Sequence, residues 1–265
     1  MDLGLAGKVA IVTGGSEGIG RAAAHRLAQE GARVVIVGRR EAVLERAARE
    51  IAEATGGTVL PVAADVAAKD TPARVTGAAL ERFGRIDILV NNAGTSLAKP
   101  FEAAERRDWD ADFDVKVWAA IELIRAVIPE MRRLRGGRII NVTSIDGRTP
   151  RASSMPTSVA RAAGIAMTKG LSKDLAADNI LVNTVCIGFI KSGQHERRFA
   201  RLDPKTAARD IGSLYAADAQ KRGVPLGRVG ESAEAGDVIA FLASERASFI
   251  TGVAINIDGG ASAVV

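Results

Sequence analysis

Three observations predict an α/β fold, a doubly wound parallel sheet of about seven strands with helices on both faces. Short runs rich in Val and Ile alternate with longer amphipathic helical patterns, as expected of strands buried on both faces and joined by right-handed crossovers. A glycine-rich segment, Thr13-Gly14-Gly15-Ser16-Glu17-Gly18-Ile19-Gly20, ends the first apolar run and opens a helix. Residues with evident chemistry follow the strands, which is where ligands of such sheets bind.

The strands are expected near Val9–Val12, Arg33–Val37, Thr58–Val62, Ile86–Val90, Arg138–Val142, Leu181–Val185 and Ala254–Ile257, with helices between them. The first runs into the glycine loop, the second into Gly38-Arg39-Arg40, and the third towards Asp65-Val66. Asn91-Asn92-Ala93-Gly94 follows the fourth, Thr143-Ser144 the fifth, Ile187-Gly188 the sixth and Asp258-Gly259-Gly260 the last. No repeat, low-complexity tract or Pro/Gly/Ser linker divides residues 1–265, so a single domain is expected. Only 191–225 interrupts the rhythm. Its length, between a strand and the last helix–strand unit, reads as a substrate-covering insertion rather than a second domain.

With 265 residues, 47% of them hydrophobic, the chain can bury a large core. The segment Met1 to Lys8 lacks a signal-peptide pattern, and no apolar run approaches the roughly 20 residues of a membrane span, so a soluble cytoplasmic protein without membrane partners is expected. Cys186 is the single cysteine, and His25 and His195 stand apart, which gives no metal-ligand spacing. The net charge of +5 is spread over helices without a basic tail or aromatic-interleaved stripe, so nucleic acid is not expected as a partner. The basic excess is densest from Lys191 to Arg222, as either a solvated helical insertion or a site for an acidic ligand.

A loop almost without side chains lets a pyrophosphate approach backbone N–H groups at a positively polarised helix start. About 20 residues on, where an acidic residue would accept from the adenosine ribose 2′-OH, stands Gly38. The Arg39 that follows can pair with a 2′-phosphate, which favours NADP(H) over NAD(H); the other reading is a solvated arginine.

The chain resembles the short-chain dehydrogenase/reductase family. It matches TGxxxGxG at Thr13–Gly20, Asp65-Val66 after the third strand, NNAG at Asn91–Gly94, Asn183 in a VNTV segment, Phe249-Ile250-Thr251-Gly252 and Asp258-Gly259-Gly260, across essentially its whole length. The resemblance implies a Rossmann-type sheet and a small-molecule substrate. It implies that Gly14, Ser16, Gly18, Ile19 and Gly20 line the pyrophosphate, that Asp65 and Val66 flank adenine, and that Asn91, Ala93 and Gly94 border the adenosine ribose and the central strand. Gly188, Ile190 and Ser192, in the segment that normally reads PG and a small hydroxyl residue, fall among the cofactor contacts. Glu17 stands where NADP-preferring relatives often carry a base; its carboxylate opposes a 2′-phosphate unless Arg39 neutralises it.

The same resemblance implies a Ser, a Tyr and a Lys that assist hydride transfer, with an Asn completing a proton relay. Ser144 fits the first position; Thr157 stands thirteen residues on and Arg161 four beyond it, where Tyr and Lys are expected, and Lys116 occupies the Asn position after Asp114-Val115. The single tyrosine, Tyr215, lies outside the motif. A tyrosine hydroxyl with a pKa of about 10 can be lowered by a nearby ammonium until it exchanges a proton near neutral pH; a threonine alcohol cannot. Arg161 can donate to a nicotinamide ribose but stays protonated. Near Arg161 and in a partly dry cleft, Lys116 is expected to titrate low enough to act as acid or base, and Asp146 is the other ionisable candidate. The alternative is a Lys116–Asp146 or Arg161–Asp146 ion pair without a proton-transfer role. Lys191, Gln194 and His195 begin the basic cover and are candidates to contact an anionic substrate, although a lone histidine such as His195 is more often a surface or packing residue.

Three functions are consistent with these residues. One is a divergent NAD(P)-dependent oxidoreductase acting on a carbonyl or alcohol, with NADP(H) favoured and Ser144, Lys116, Asp146, Thr157 and Arg161 as the catalytic set. The others are a non-redox enzyme of elimination or isomerisation, and a catalytically impaired cofactor-binding partner on the same scaffold. A homodimer or homotetramer is expected from the family. The helix expected over Thr157–Ala177 carries Ala160, Ala163 and Gly164, which either permit close packing against a second copy or face the sheet.

Overall fold

Every residue of Val9–Thr13 and of Ile180–Ile187 is buried, as a strand covered on both faces requires. The computed structural model describes residues 1–193, 199 and 210–265. Strands β1 (Val9–Thr13), β2 (Arg33–Gly38), β3 (Val59–Ala63), β4 (Ile88–Asn91), β5 (Gly137–Ser144), β6 (Ile180–Ile187) and β7 (Ala254–Ile257) form one sheet in the order β3-β2-β1-β4-β5-β6-β7. All neighbours pair in parallel, and each strand lies within two residues of its sequence expectation. The strand order reverses between β1 and β4, which opens a crevice at their carboxyl ends.

Successive residues of each strand point to opposite faces, so the sheet divides two cores. Ala10, Val12, Val34, Ile36 and Ile140 pack under α1 (Gly18–Gln29), α2 (Glu41–Thr55) and α8 (Ser232–Ala243). Ile11, Val35, Leu89, Ile139 and Val182 pack under α3 (Thr71–Phe83), α5 (Ala119–Arg133) and α6 (Thr157–Asp174). Each fully buried Val, Leu or Ile contributes about 1.5–3 kcal/mol. A smaller cluster of Tyr215, Ala219, Val224 and Val229 forms around α7 (Ile211–Lys221).

Two details position the site. Helix α4 (Arg106–Phe113) starts with a reciprocal capping box between Glu105 and Asp108, then widens into a π-helical turn, Asp114–Trp118, that runs directly into α5. Such widened turns disturb the helical register locally, and Lys116 sits inside this one. Helix α6 ends at Asp174 rather than Ala177, because the chain tightens into a turn at Ala176–Asp178 and Asn179 turns left-handed, φ 56°, to enter β6. Of its small residues, Ala160 is buried and a Cβ on Gly164 would stand 3.1 Å from Thr143 Cγ2, so these two face β5 and not a second copy. No helix among the described residues is long and apolar enough to cross a membrane.

Candidate active site

An open cleft of about 660 Å³ lies at the carboxyl ends of the central strands. Its wall brings together Gly14, Ser16, Gly18 and Ile19 from the glycine loop, Arg39 and Arg40 after β2, and Asp65 and Val66 after β3. Ala93 and Gly94 after β4, Ser144 at the end of β5, Arg161 on α6 and Gly188, Ile190 and Ser192 after β6 complete it. Gly14 has φ +65°, a backbone that L side chains rarely adopt. Glu17, the residue that caps α1, is extended and makes no side-chain cap, which leaves the first-turn amides to the cleft.

Gly20 does not line the cleft. A Cβ there would collide with the Gly14 carbonyl and the Asn92 amide, so this glycine permits the close approach of loop and helix beneath the ligand. Asn91 also lies off the cleft wall: its Nδ2 donates to Asn141 Oδ1 (3.0 Å), and Asn141 Nδ2 donates to Thr168 Oγ1 (2.9 Å), tying β4 and β5 to α6. After β2, the arginine that neutralises Glu17 is Arg40, whose Nη2 stands 2.8 Å from Glu17 Oε1. Arg39, expected as that partner, reaches Asp65 at 4.0 Å and is largely exposed. Ser192 closes over the loop, with its Cβ 3.3 Å from where a Gly18 Cβ would be.

At the catalytic end, Ser144 ends β5, and its Oγ accepts the Asp146 amide at 3.0 Å, which leaves the hydroxyl hydrogen to donate. Asp146 pairs with neither Lys116 nor Arg161. Arg151 Nε and Nη2 both donate to its carboxylate at 2.8 Å, a fork-on-fork geometry that only arginine offers. Arg161 Nη1 donates to the Val142 carbonyl at 2.7 Å, and enclosure lowers its guanidinium to about 10. Thr157 opens α6; its Oγ1 accepts the Leu97 amide at 3.1 Å and donates to Asp112 Oδ1 at 3.4 Å.

Lys116 donates to the same Asp112 oxygen. Desolvation first, and then the Arg161 guanidinium, draw its ammonium down to about 7. Lys116, Arg161, Asn91 and Asn141 also border a small enclosed cavity of about 20 Å³ next to the cleft. Asp112 is the functional candidate missing from the sequence reading. Its only local signal is the four-residue spacing to Lys116, which stacks the two on one helix face.

Lys191, expected against an anionic substrate, pairs with Glu231 and lies over the Tyr215 ring, 5.5 Å from its centroid. Arg222 stacks on Phe189 at 4.4 Å. Gln194 and His195, with Arg197, Arg198, Arg201, Lys205 and Arg209, lie outside the described residues.

A seven-stranded doubly wound sheet with a glycine-rich loop at its switch point defines a Rossmann-like class. Residues 8–202 match the family model described as short chain dehydrogenase. The chain is 35% identical over 256 residues to the 3-oxoacyl-[acyl-carrier-protein] reductase FabG of Thermotoga maritima, covering 97% of this chain and 98% of that one. It is 35% identical over 263 residues to the dehydrogenase/reductase SDR family member 4 of Oryctolagus cuniculus, covering 97% and 94%. The L-sorbose reductase of Gluconobacter frateurii, solved with NADPH and L-sorbose, superposes with a TM-score of 0.95 over all of both chains at 35% identity. The chain therefore belongs to the short-chain dehydrogenase/reductase family of oxidoreductases.

Proposed function

We propose that this protein is an NADP(H)-dependent oxidoreductase that interconverts a carbonyl and an alcohol on a small molecule. The observation that carries the reading is the single cleft in which the glycine loop, Arg39 and Arg40, and Ser144 meet. The L-sorbose reductase with its NADPH supports it. The residues fit the dinucleotide. The uncapped α1 amides and the side-chain-free Gly14 and Gly18 suit a pyrophosphate, and Gly38 with Arg39 suits a 2′-phosphate. Asp65 and Val66 take the adenine end; Ala93, Gly94 and Arg161 take the riboses; and Gly188, Ile190 and Ser192 take the carboxamide side.

When bound, the dinucleotide supplies or accepts the hydride. Ser144 orients the substrate by donating to its carbonyl oxygen. Lys116, directly behind Gly94 of the cleft wall, holds the proton that the oxygen gains on reduction, and its ammonium lies near 7. Arg161 stays charged and positions without exchanging a proton. The 191–225 segment is the proposed substrate cover within one domain; Lys191, one of its candidate anion contacts, is held by Glu231.

Two observations favour a second reading. Lys116 stands behind the cleft wall, its Cε 3.7 Å from where a Gly94 Cβ would be, and Asp146 is clasped by Arg151, which suits a cofactor-binding partner without turnover. Thermal shift with NADPH and NADH, followed by a carbonyl and alcohol panel read at the reduced-nicotinamide band, separates the two. Stabilisation by NADPH with substrate-dependent absorbance loss is expected; stabilisation without turnover selects the partner reading, and no stabilisation by either coenzyme removes both.

The protein is proposed to be cytoplasmic and to associate with itself through the outer faces of α5 and α6. Trp118, 56% exposed, and Val159 stand uncovered there. Light scattering at micromolar concentration should give a dimer or tetramer that Trp118→Glu dissociates; a monomeric wild type would count against association.

A further inference from the structure

We propose that Asp112 is the positioning residue of this site: its carboxylate gathers the Lys116 ammonium and the Thr157 hydroxyl into one hydrogen-bonded unit and fixes the proton that Lys116 exchanges. The assignment takes its chemical meaning from the oxidoreductase reading above, but its geometry stands independently.

Asp112 lies in the last turn of α4, Lys116 in the π-helical turn that follows, and Thr157 at the start of α6, so one carboxylate joins three segments. The side chains of Asp112 and Lys116 are 0% and 2% exposed. Asp112 Oδ1 receives both donors, while its Oδ2 is buried without a hydrogen-bond partner among the described residues. A carboxylate so desolvated persists only where a cation compensates it, and an ammonium so desolvated has the same need.

Among the described residues, the charged groups facing Lys116 are Asp112 from α4 and Arg161 from α6. Around the small cavity that Lys116 borders, β4 and β5 contribute the neutral Asn91 and Asn141, and α5 contributes Ala119, Ala120 and Leu123. Arg161 keeps its proton throughout. With Asp112 ionised and Lys116 protonated the cluster therefore carries one net positive charge, and loss of the Lys116 proton makes it neutral. Burial and Arg161 favour that loss, and Asp112 opposes it. Asp112, within hydrogen-bonding reach of the ammonium, thus acts against the two effects that lower it.

The test is a titration of the Lys116 Cε resonance in protein labelled with ¹³C-lysine and ¹³C-aspartate, assigned by its disappearance in Lys116→Met, together with the pH profile of kcat/KM for carbonyl reduction. Asp112→Asn should lower the Lys116 midpoint by at least about one pH unit, the effect of removing a close opposite charge, and the high-pH limb should move with it. Asp112→Glu, which keeps the carboxylate, should bring the midpoint back towards wild type. A Lys116 midpoint equal in wild type and Asp112→Asn overturns the proposal. Should Asp112→Asn not fold, the wild type decides: Asp112 Cγ and Lys116 Cε are expected to shift at one common midpoint, and independent midpoints overturn the assignment. The resonances report without turnover, so a protein that reduces no carbonyl would end the oxidoreductase reading while leaving this one to be judged by its own measurement.

Discussion

Lys116 Nζ donates to Asp112 Oδ1 across one helical turn, and both side chains are closed to solvent. The pair joins neighbouring turns of one helix to the start of another through Thr157, whose hydroxyl donates to the same oxygen. Lys116 and Thr157, two members of the proposed catalytic set, are therefore linked, and Arg161 lies beside them as a cation acting on Lys116. Truncating either member of such a buried pair leaves an uncompensated charge and costs about 3–5 kcal/mol.

On the proposed reading, reduction draws its proton from the Lys116 ammonium, which burial and Arg161 lower to about 7. The proton is present below that value and lost above it, so kcat/KM for reduction should be level at low pH and fall as pH rises through about 7, whereas alcohol oxidation should rise over the same window. Lys116→Met should lower turnover at least about tenfold and erase the limb. Stopped-flow absorbance across pH 5.5–9 provides the check; an unchanged profile in the variant would exclude Lys116 as the proton donor.

Thr157 and Asp146 are expected to matter less. Thr157→Val removes the acceptor of the Leu97 amide, so it should cost about 1–3 kcal/mol in urea unfolding while most turnover remains. Asp146 is held by Arg151 at 2.8 Å rather than poised beside Lys116. Asp146→Asn should accordingly change stability by about 1 kcal/mol or less and turnover by under about threefold. A loss of turnover above about tenfold in Asp146→Asn would restore it as an acid.

Arg39 and Arg40 differ in their partners, Arg40 paired with Glu17 and Arg39 loosely with Asp65, and the proposed function puts Arg39 against the 2′-phosphate. Arg39→Ala should weaken NADPH binding by about tenfold, the value of one charge-assisted contact at an exposed site, and leave NADH nearly unchanged. Isothermal titration with both coenzymes measures this directly. Equal losses for the two would place Arg39 outside phosphate recognition.

Gly20 has no room for a methyl group, because its Cβ would meet the Gly14 carbonyl and the Asn92 amide. Gly20→Ala should therefore lower stability by about 1–3 kcal/mol and abolish the coenzyme-induced thermal shift. A variant that folds and binds coenzyme normally would show that the loop gives way at little cost.

The strands were legible within two residues because a parallel strand covered on both faces must be an unbroken apolar run, visible without knowledge of its neighbours. The glycine loop and Ser144 were legible for a related reason: their places follow from backbone turns and strand ends, which are local. Side-chain partnerships were not. Arg39 and Arg40 are adjacent, and which one reaches Glu17 depends on how the start of α2 lies across the loop before α1.

Asp112 shows the same division most sharply. Its four-residue spacing to Lys116 is written in the chain, but so are other acid–base spacings, among them Arg106 to Asp110, which is exposed on the same helix. Fold class, cofactor loop and candidate catalytic register follow from short-range pattern, since periodicity and backbone conformation are set within a few residues. Which charges are buried, and which acid holds which base, followed from α4 packing on α6, where Thr157 comes within 3.4 Å of a residue 45 positions earlier and water is shut out from the carboxylate between them.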